Sequence, residues 1–120
     1  MDRRLLGMRA EGIARRHLAA HGLELVCENY RCRFGELDLV MMDGATVVVV
    51  EVRLRSRSAY GGALGSIGAF KQRRIARAAR HLLLTHRALA RMPMRFDVVA
   101  LDCAEGTRIE WLRGAFVAAR

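Results

Sequence analysis

Between Glu36 and Arg53 the sequence sets four chemically capable side chains, Glu36, Asp38, Glu51 and Arg53, around an unbroken run of valines, Val47 to Val50. Side chains alternate along a strand, so Glu36, Asp38, Val40 and Met42 share one face, and Val47, Val49, Glu51 and Arg53 share one face of the next segment. Burying an unpartnered polar group costs roughly 2–7 kcal/mol, and more when it is ionised, so an acid fed by such an apolar run needs compensation. Converging carboxylates repel one another, and a hard divalent cation such as Mg²⁺ relieves that repulsion while keeping waters for chemistry. Such an ion polarises a phosphate oxygen and lowers the pKa of a bound water, while a neighbouring cation such as Arg53 stabilises charge building in the transition state. The chemistry this set would serve is phosphodiester hydrolysis. The alternative use of the same residues is a structural ion-pair ladder on a solvent-facing side of a sheet, and the valines before Glu51 weigh against it.

These side chains meet only if the two segments pair, and Asp43-Gly44 between them is a strong hairpin signal. With a two-residue turn Met42 pairs with Ala45 and Glu36 lies opposite Glu51; with a loop over residues 43–46, Asp38 lies opposite Glu51. Opposed residues have Cβ atoms about 4.5–5.5 Å apart and diagonal ones about 7–8 Å, so one cation bridges Asp38 and Glu51 in either register. Ahead of the hairpin, residues 2–21 carry helical spacing through Leu6, Ala10, Ile13, Ala14, His17 and His21, with Asp2 as cap and Gly22 as stop. Glu11 sits beside this stripe, where it either points inward or pairs with Arg15 one turn on. "LELVCENYRCR" then alternates as a strand, with Leu23, Leu25 and Cys27 on one side.

Behind the hairpin, "AYGGALGSIGAF" reads as a glycine-rich loop, and it is not a P-loop because the Gly-Lys-Ser/Thr ending is missing. Residues 70–86 return to helical spacing through Ile75, Ala78, Ala79, Leu82 and Leu83, with Lys71, Arg73, Arg74, Arg77 and Arg80 mostly on the other side. Beyond Pro93, "MRFDVVALD" and "TRIEWLR" are two further strands joined by a turn at "EG". Helix, three strands, helix, two strands predicts an α/β fold, with a central mixed sheet of about five strands flanked by helices.

Composition narrows the function classes. A chain of 120 residues is expected to form one domain, residues 1–120, with a genuine core. Its 21 Lys and Arg against 12 Asp and Glu give a formal charge of +9, which favours polyanions, nucleic acid foremost. Cys27, Cys32 and Cys103 make an odd count without CxxC spacing, which argues for a reducing compartment. The charged N-terminus has no signal-peptide core and no segment approaches the ~20 apolar residues of a membrane span, so a cytoplasmic protein without a membrane partner is expected.

Asp38, thirteen residues, then Glu51-Val52-Arg53 resembles the D…(E)xK core of the restriction-endonuclease-like PD-(D/E)XK superfamily, close to its Holliday-junction-resolvase branch. More specifically, "ENYRCRFGELDLV", "VVVEVRLRS", "KQRRIARAARHLL" and "RFDVVALD", in that order after a helix bearing Glu11, resemble the YraN-type family of small bacterial proteins across nearly the whole chain. The resemblance implies a restriction-endonuclease-like core and a Mg²⁺ or Mn²⁺ site built from Asp38 and Glu51, with the Val52 carbonyl as a backbone ligand and Glu11 approaching from the first helix. It also implies a nucleic-acid partner, DNA foremost, and a homodimer on two-fold substrates. Glu36 matches the family's Gly-Glu-Ile-Asp pattern.

Arg53 departs from the pattern, which has lysine there. Arginine keeps its proton, so it binds phosphate and stabilises charge but does not act as a general base. In some superfamily members the basic residue comes from another element, and Lys71, the sole lysine of the chain, is the candidate; its ordinary alternative is a surface helix lysine. Two functions follow: a metal-dependent endonuclease with Asp38, Glu51, Glu11 and Arg53 or Lys71 at its centre, or a catalytically inactive nucleic-acid-binding protein on the same fold. In either, Arg55, Arg57, Arg73 and Arg74 are the candidate phosphate contacts. His17 and His21 read as ordinary helix histidines, because no HExxH arrangement or third ligand accompanies them. Asp97 can pair with Arg95 and is left outside the site, and Tyr30 and Tyr60 flank the acidic strands as candidate base-stacking rings.

Overall fold

The computed structural model describes residues 2–54, 67–102 and 108–117. Helix α1 (Arg3–Ala20) starts at Asp2, whose carboxylate accepts from the Arg4 N–H at 2.8 Å. Strands β1 (Glu24–Cys32), β2 (Gly35–Asp43) and β3 (Thr46–Leu54) then form an antiparallel meander. Helix α2 (Ala69–Thr85) and a 3₁₀ turn (Arg87–Leu89) lead into β4 (Met94–Leu101), which runs parallel to β3, and β5 (Ile109–Phe116) closes antiparallel on β4. The result is a five-stranded mixed sheet in the order β1-β2-β3-β4-β5 with two long helices, as the element order predicts. A parallel pair cannot be joined by a tight turn, and α2 lies on the crossover that joins β3 to β4.

The valine run is continuous because both sheet faces are covered. Val47 and Val49 join Ile75, Ala78, Ala79 and Leu82 of α2 in one core cluster, while Val48 and Val50 join Ala10, Ala14 and Leu18 of α1 in the other. All four valines are fully buried, each contributing about 1.5–3 kcal/mol against exposure. Among the described residues, Glu51 and Asp97 are the charged ones buried with them.

The hairpin adopts the second of the two registers. Asp43 pairs with Thr46 and Met42 with Val47, leaving Gly44 and Ala45 at the tip, and Gly44 supplies the positive φ of 59° that the turn requires. The first strand corrects the simple alternation. A bulge shifts the pairing between Leu25, opposite Met41, and Cys27, opposite Val40, so the two side chains fall on opposite faces, and Leu25 is 44 % exposed. The last strand runs three residues beyond the expected Arg113, because the Gly114 N–H bonds Asp97 and Phe116 stacks on Phe96 at 5.0 Å.

Arg55, Arg57, Tyr60, most of the glycine-rich segment, Cys103 and the Glu105-Gly106 turn lie outside the described residues. Among the described residues no helix is long and apolar enough to cross a membrane.

Candidate functional site

The β2–β3 ladder, followed one step past its Leu39–Val50 pair, sets Asp38 opposite Glu51. The two acids are tied through the backbone: the Val52 N–H donates to Asp38 Oδ2 at 2.9 Å, and the Asp38 N–H approaches Glu51 Oε2 at 3.5 Å. Glu51 is 2 % exposed, and burial, then the Asp38 charge, push its carboxyl up to about 8, with the Lys71 charge acting in the opposite direction. Burial also raises Asp38, against the Val52 hydrogen bond and the charges of Arg53 and Lys71. Each acid is a hard oxygen donor that the surrounding protein leaves short of positive charge.

Glu11 is half-buried and lines the same cavity as this pair. Its anticipated i+4 partner, Arg15, reaches instead across to Glu28 on β1 at 2.9 Å. Burial and the Asp38 charge raise the Glu11 carboxyl to about 7, while a hydrogen bond from the Asn29 side chain opposes the rise. Asn29 is one of the residues that sequence reasoning missed. It holds φ at 51°, the left-handed region that asparagine tolerates better than most side chains. Around it the strand reverses facing: Glu28 goes to α1, whereas the Tyr30 hydroxyl hydrogen-bonds His81 and meets Thr85 Oγ1 at 3.2 Å on α2. Strand β2 answers in step, with Leu37 in the α2 cluster and Leu39 in the α1 cluster, so the reversal passes through Asp38. An asparagine within a strand pattern, where that residue is depleted, was the available signal.

These groups line a cavity of about 660 Å³, bounded by the first half of α1, the start of α2, and residues of β1, β2 and β3. Lys71 and Arg74 line it from α2, and Arg3, Arg4 and Arg31, none of them anticipated, line it as well. Arg74 is partly engaged, since its Nε donates to the Phe34 carbonyl at 3.2 Å across the β1–β2 turn. A Cβ at Gly35 would meet that guanidinium at an ordinary contact distance of 3.6 Å, so it is the φ of 149° rather than space that favours glycine there. Arg73 is exposed and does not line the cavity. Arg53 is half-buried on β3, and its Nε and Nη2 are buried without a hydrogen-bond partner. Among the described residues no three His, Cys, Asp or Glu side chains form a metal-holding group. Mg²⁺, however, is commonly held by one or two carboxylates and several waters, and the Asp38–Glu51 pair fits that requirement.

The sequence profile of the uncharacterised protein family UPF0102 matches residues 10–101. The chain belongs to this family. A UPF0102 protein of Alkalilimnicola ehrlichii is 54% identical over 112 residues, spanning 93% of this chain and 86% of its own length. One from Nitrosospira multiformis is 53% identical over 116 residues, spanning 97% and 96%, and one from Ectopseudomonas mendocina 50% identical over 111 residues, spanning 92% and 93%. The matched stretch of the UPF0102 profile contains Glu11, Asn29, Asp38, Glu51, Arg53 and Lys71 and ends with β4.

The remaining candidates of this UPF0102 chain have structural partners. Glu36 lines the cavity and pairs with Arg31 at 3.4 Å. Asp97 accepts from Arg95 Nε at 3.1 Å, from Trp111 Nε1 at 2.9 Å and from the Gly114 N–H at 2.9 Å, which ties β5 to β4. His17 and His21 lie 4.7 Å apart, centroid to centroid, and both meet Trp111 edge-on. Tyr30, hydrogen-bonded to α2, is not free to stack on a base.

Proposed function

We propose that this chain is a metal-dependent, nuclease-like protein of the YraN type, within the PD-(D/E)XK superfamily, that binds DNA and hydrolyses its phosphodiesters. The observation that carries the reading is the Asp38–Glu51 pair, Glu51 buried and Asp38 half-buried, both raised in pKa and lining a cavity with a basic margin. Asp38 and Glu51 would hold Mg²⁺ or Mn²⁺, with the Val52 carbonyl as the backbone ligand the resemblance implies, and the ion would supply Lewis acidity at a phosphate oxygen and at water. Glu11, held near 7, is able to take a proton at its carboxylate at neutral pH. Arg53 and Lys71 offset the anionic charge that gathers when a phosphate meets the acids. Cys27 and Cys32 are free thiols, which suits a reducing cytoplasmic setting. A two-fold substrate would require a homodimer, and strictly monomeric elution at high concentration would count against one.

A second reading, nucleic-acid binding without hydrolysis, is favoured by Arg53, which keeps its proton where the family pattern has a lysine able to release one. Titration calorimetry with Mg²⁺ and Mn²⁺, in wild type and Asp38→Ala, alongside a nicking assay, separates the two. Saturable metal binding and cleavage, both lost in Asp38→Ala, with cleavage increased in Arg53→Lys, supports the enzyme. DNA binding without cleavage in every variant supports the second reading. Absent metal binding, even with DNA present, returns the acids to a structural role.

A further inference from the structure

Both long helices begin with cations, and Asp2, the cap of α1, is the acid at either start. A helix N-terminus carries partial positive charge and favours acids in its first turn. The first turns of α1 and α2 contain none. They carry Arg3 and Arg4 in one and Lys71 in the other, and all three line the cavity, with Arg74 a turn further along α2. These cations share the cavity with Glu11, Glu36, Asp38 and Glu51, and they stand on helix ends that add partial positive charge of their own. The same mouth exposes two large apolar side chains, Phe70 at 69 % and Met8 at 57 %, both of which line the cavity. Each could have been polar at no cost to the core, since neither packs in it.

A polyanion with flat apolar faces matches this pairing of cations and an exposed ring. Resting on the nucleic-acid reading above, we infer that the mouth of the cavity takes an unpaired nucleotide, its base stacked on Phe70 and its phosphate between the first turns of α1 and α2. A paired base has its faces covered by its neighbours in the stack, whereas a splayed or single-stranded base offers a face to an aromatic ring. The substrate class is therefore nucleic acid with an unpaired segment: a single strand, a flap or an opened branch point. Continuous duplex would engage the cations alone. Arg3, Arg4 and Lys71 act on phosphate irrespective of sequence, so preference for unpaired structure rests on Phe70.

The test is fluorescence anisotropy, without divalent metal at low salt, using a labelled single strand carrying one 2-aminopurine and a blunt duplex of equal length. Wild type, Phe70→Ala and Phe70→Trp are compared. The expected result is tighter binding of the single strand by wild type and a loss of about tenfold in single-strand affinity for Phe70→Ala, with a smaller loss on duplex. Phe70→Trp restores the affinity, and 2-aminopurine emission is quenched by wild type and Phe70→Trp but not by Phe70→Ala. Equal losses on both ligands, or quenching that persists in Phe70→Ala, overturn the inference while leaving DNA binding intact. Failure of wild type to bind either ligand overturns it together with the nucleic-acid reading on which it rests.

Discussion

Replacing Glu51 by glutamine should stabilise the metal-free protein at alkaline pH and leave it unchanged at acid pH. The folded carboxyl sits at about 8 against an ordinary 4.5, because burial and Asp38 disfavour its ionised form. Between those values the folded state retains a proton that the unfolded chain has released. The stability from this proton is fully present below 4.5 and is lost as pH rises through about 8. At about 1.4 kcal/mol per pH unit, the rise caps the wild-type loss at about 5 kcal/mol. Asp38 competes for the same proton, so the gain of Glu51→Gln at pH 9 is expected to be on the order of 2–3 kcal/mol. Glutamine keeps the shape and the acceptor for the Asp38 N–H, so packing contributes little to the difference. Urea denaturation from pH 5 to pH 9, run on both proteins, reads the gain as a widening gap, and Mg²⁺ should close it by stabilising the wild type alone. A gap that is flat with pH, or wild-type stability that rises relative to the variant towards pH 9, would refute the reasoning.

Two further perturbations address neighbouring parts of the fold. Asp97→Ala leaves the Trp111 and Gly114 N–H donors and one face of Arg95 without their acceptor, and should cost about 3–5 kcal/mol in denaturation followed by the emission of Trp111. A loss below about 1 kcal/mol would show that β5 is held by its ladder instead. Asn29→Ala should lose roughly 1–2 kcal/mol through its left-handed backbone, whereas Asn29→Gly avoids that strain. Both remove the bond to Glu11, so carboxyl-detected NMR titration should find Glu11 above its wild-type value of about 7 in each, and an unmoved Glu11 would dissociate the two residues.

The fold was legible because its signals were local and mutually consistent. The Asp43-Gly44 hairpin signal, the valine run and the two helical stripes each specify one element, and their order leaves few ways to stack them. The acid pair was legible because both registers open to the hairpin bring Asp38 and Glu51 within reach, and the structure takes the one that opposes them, with Gly44 and Ala45 rather than Asp43 and Gly44 at the tip. What periodicity did not reveal were departures from it. Neither the bulge that turns Leu25 away from Cys27 nor the reversal at Asn29 leaves a trace in a pattern of alternating residues, because both are backbone events. Arg3, Arg4 and Arg31 were missed for another reason: a chain rich in arginine offers no local cue to which of them face a cavity assembled from α1, β1 and α2.

The position of Arg53 bears on whether the departure from lysine is damage or use. A guanidinium on β3 with two buried nitrogens unpaired carries a penalty of about 1–3 kcal/mol for each donor left unmade. A lysine in the same place carries three N–H donors on one terminal nitrogen, as many as the unpaired Nε and Nη2 of Arg53 together. The two residues differ instead in that the guanidinium keeps its proton and holds its donors in a planar fork, and its charge already acts on Asp38 and Glu51 in the free protein. Lys71 approaches the same carboxylates from α2, against the preference of its own helix end, and it alone of the two cations is able to give up its proton. Charge stabilisation and proton transfer, combined in one lysine by the family pattern, are thus divided between two elements under the proposed function: Arg53 supplies fixed positive charge from the strand without lining the cavity, and any proton-transfer role left to a basic side chain falls to Lys71.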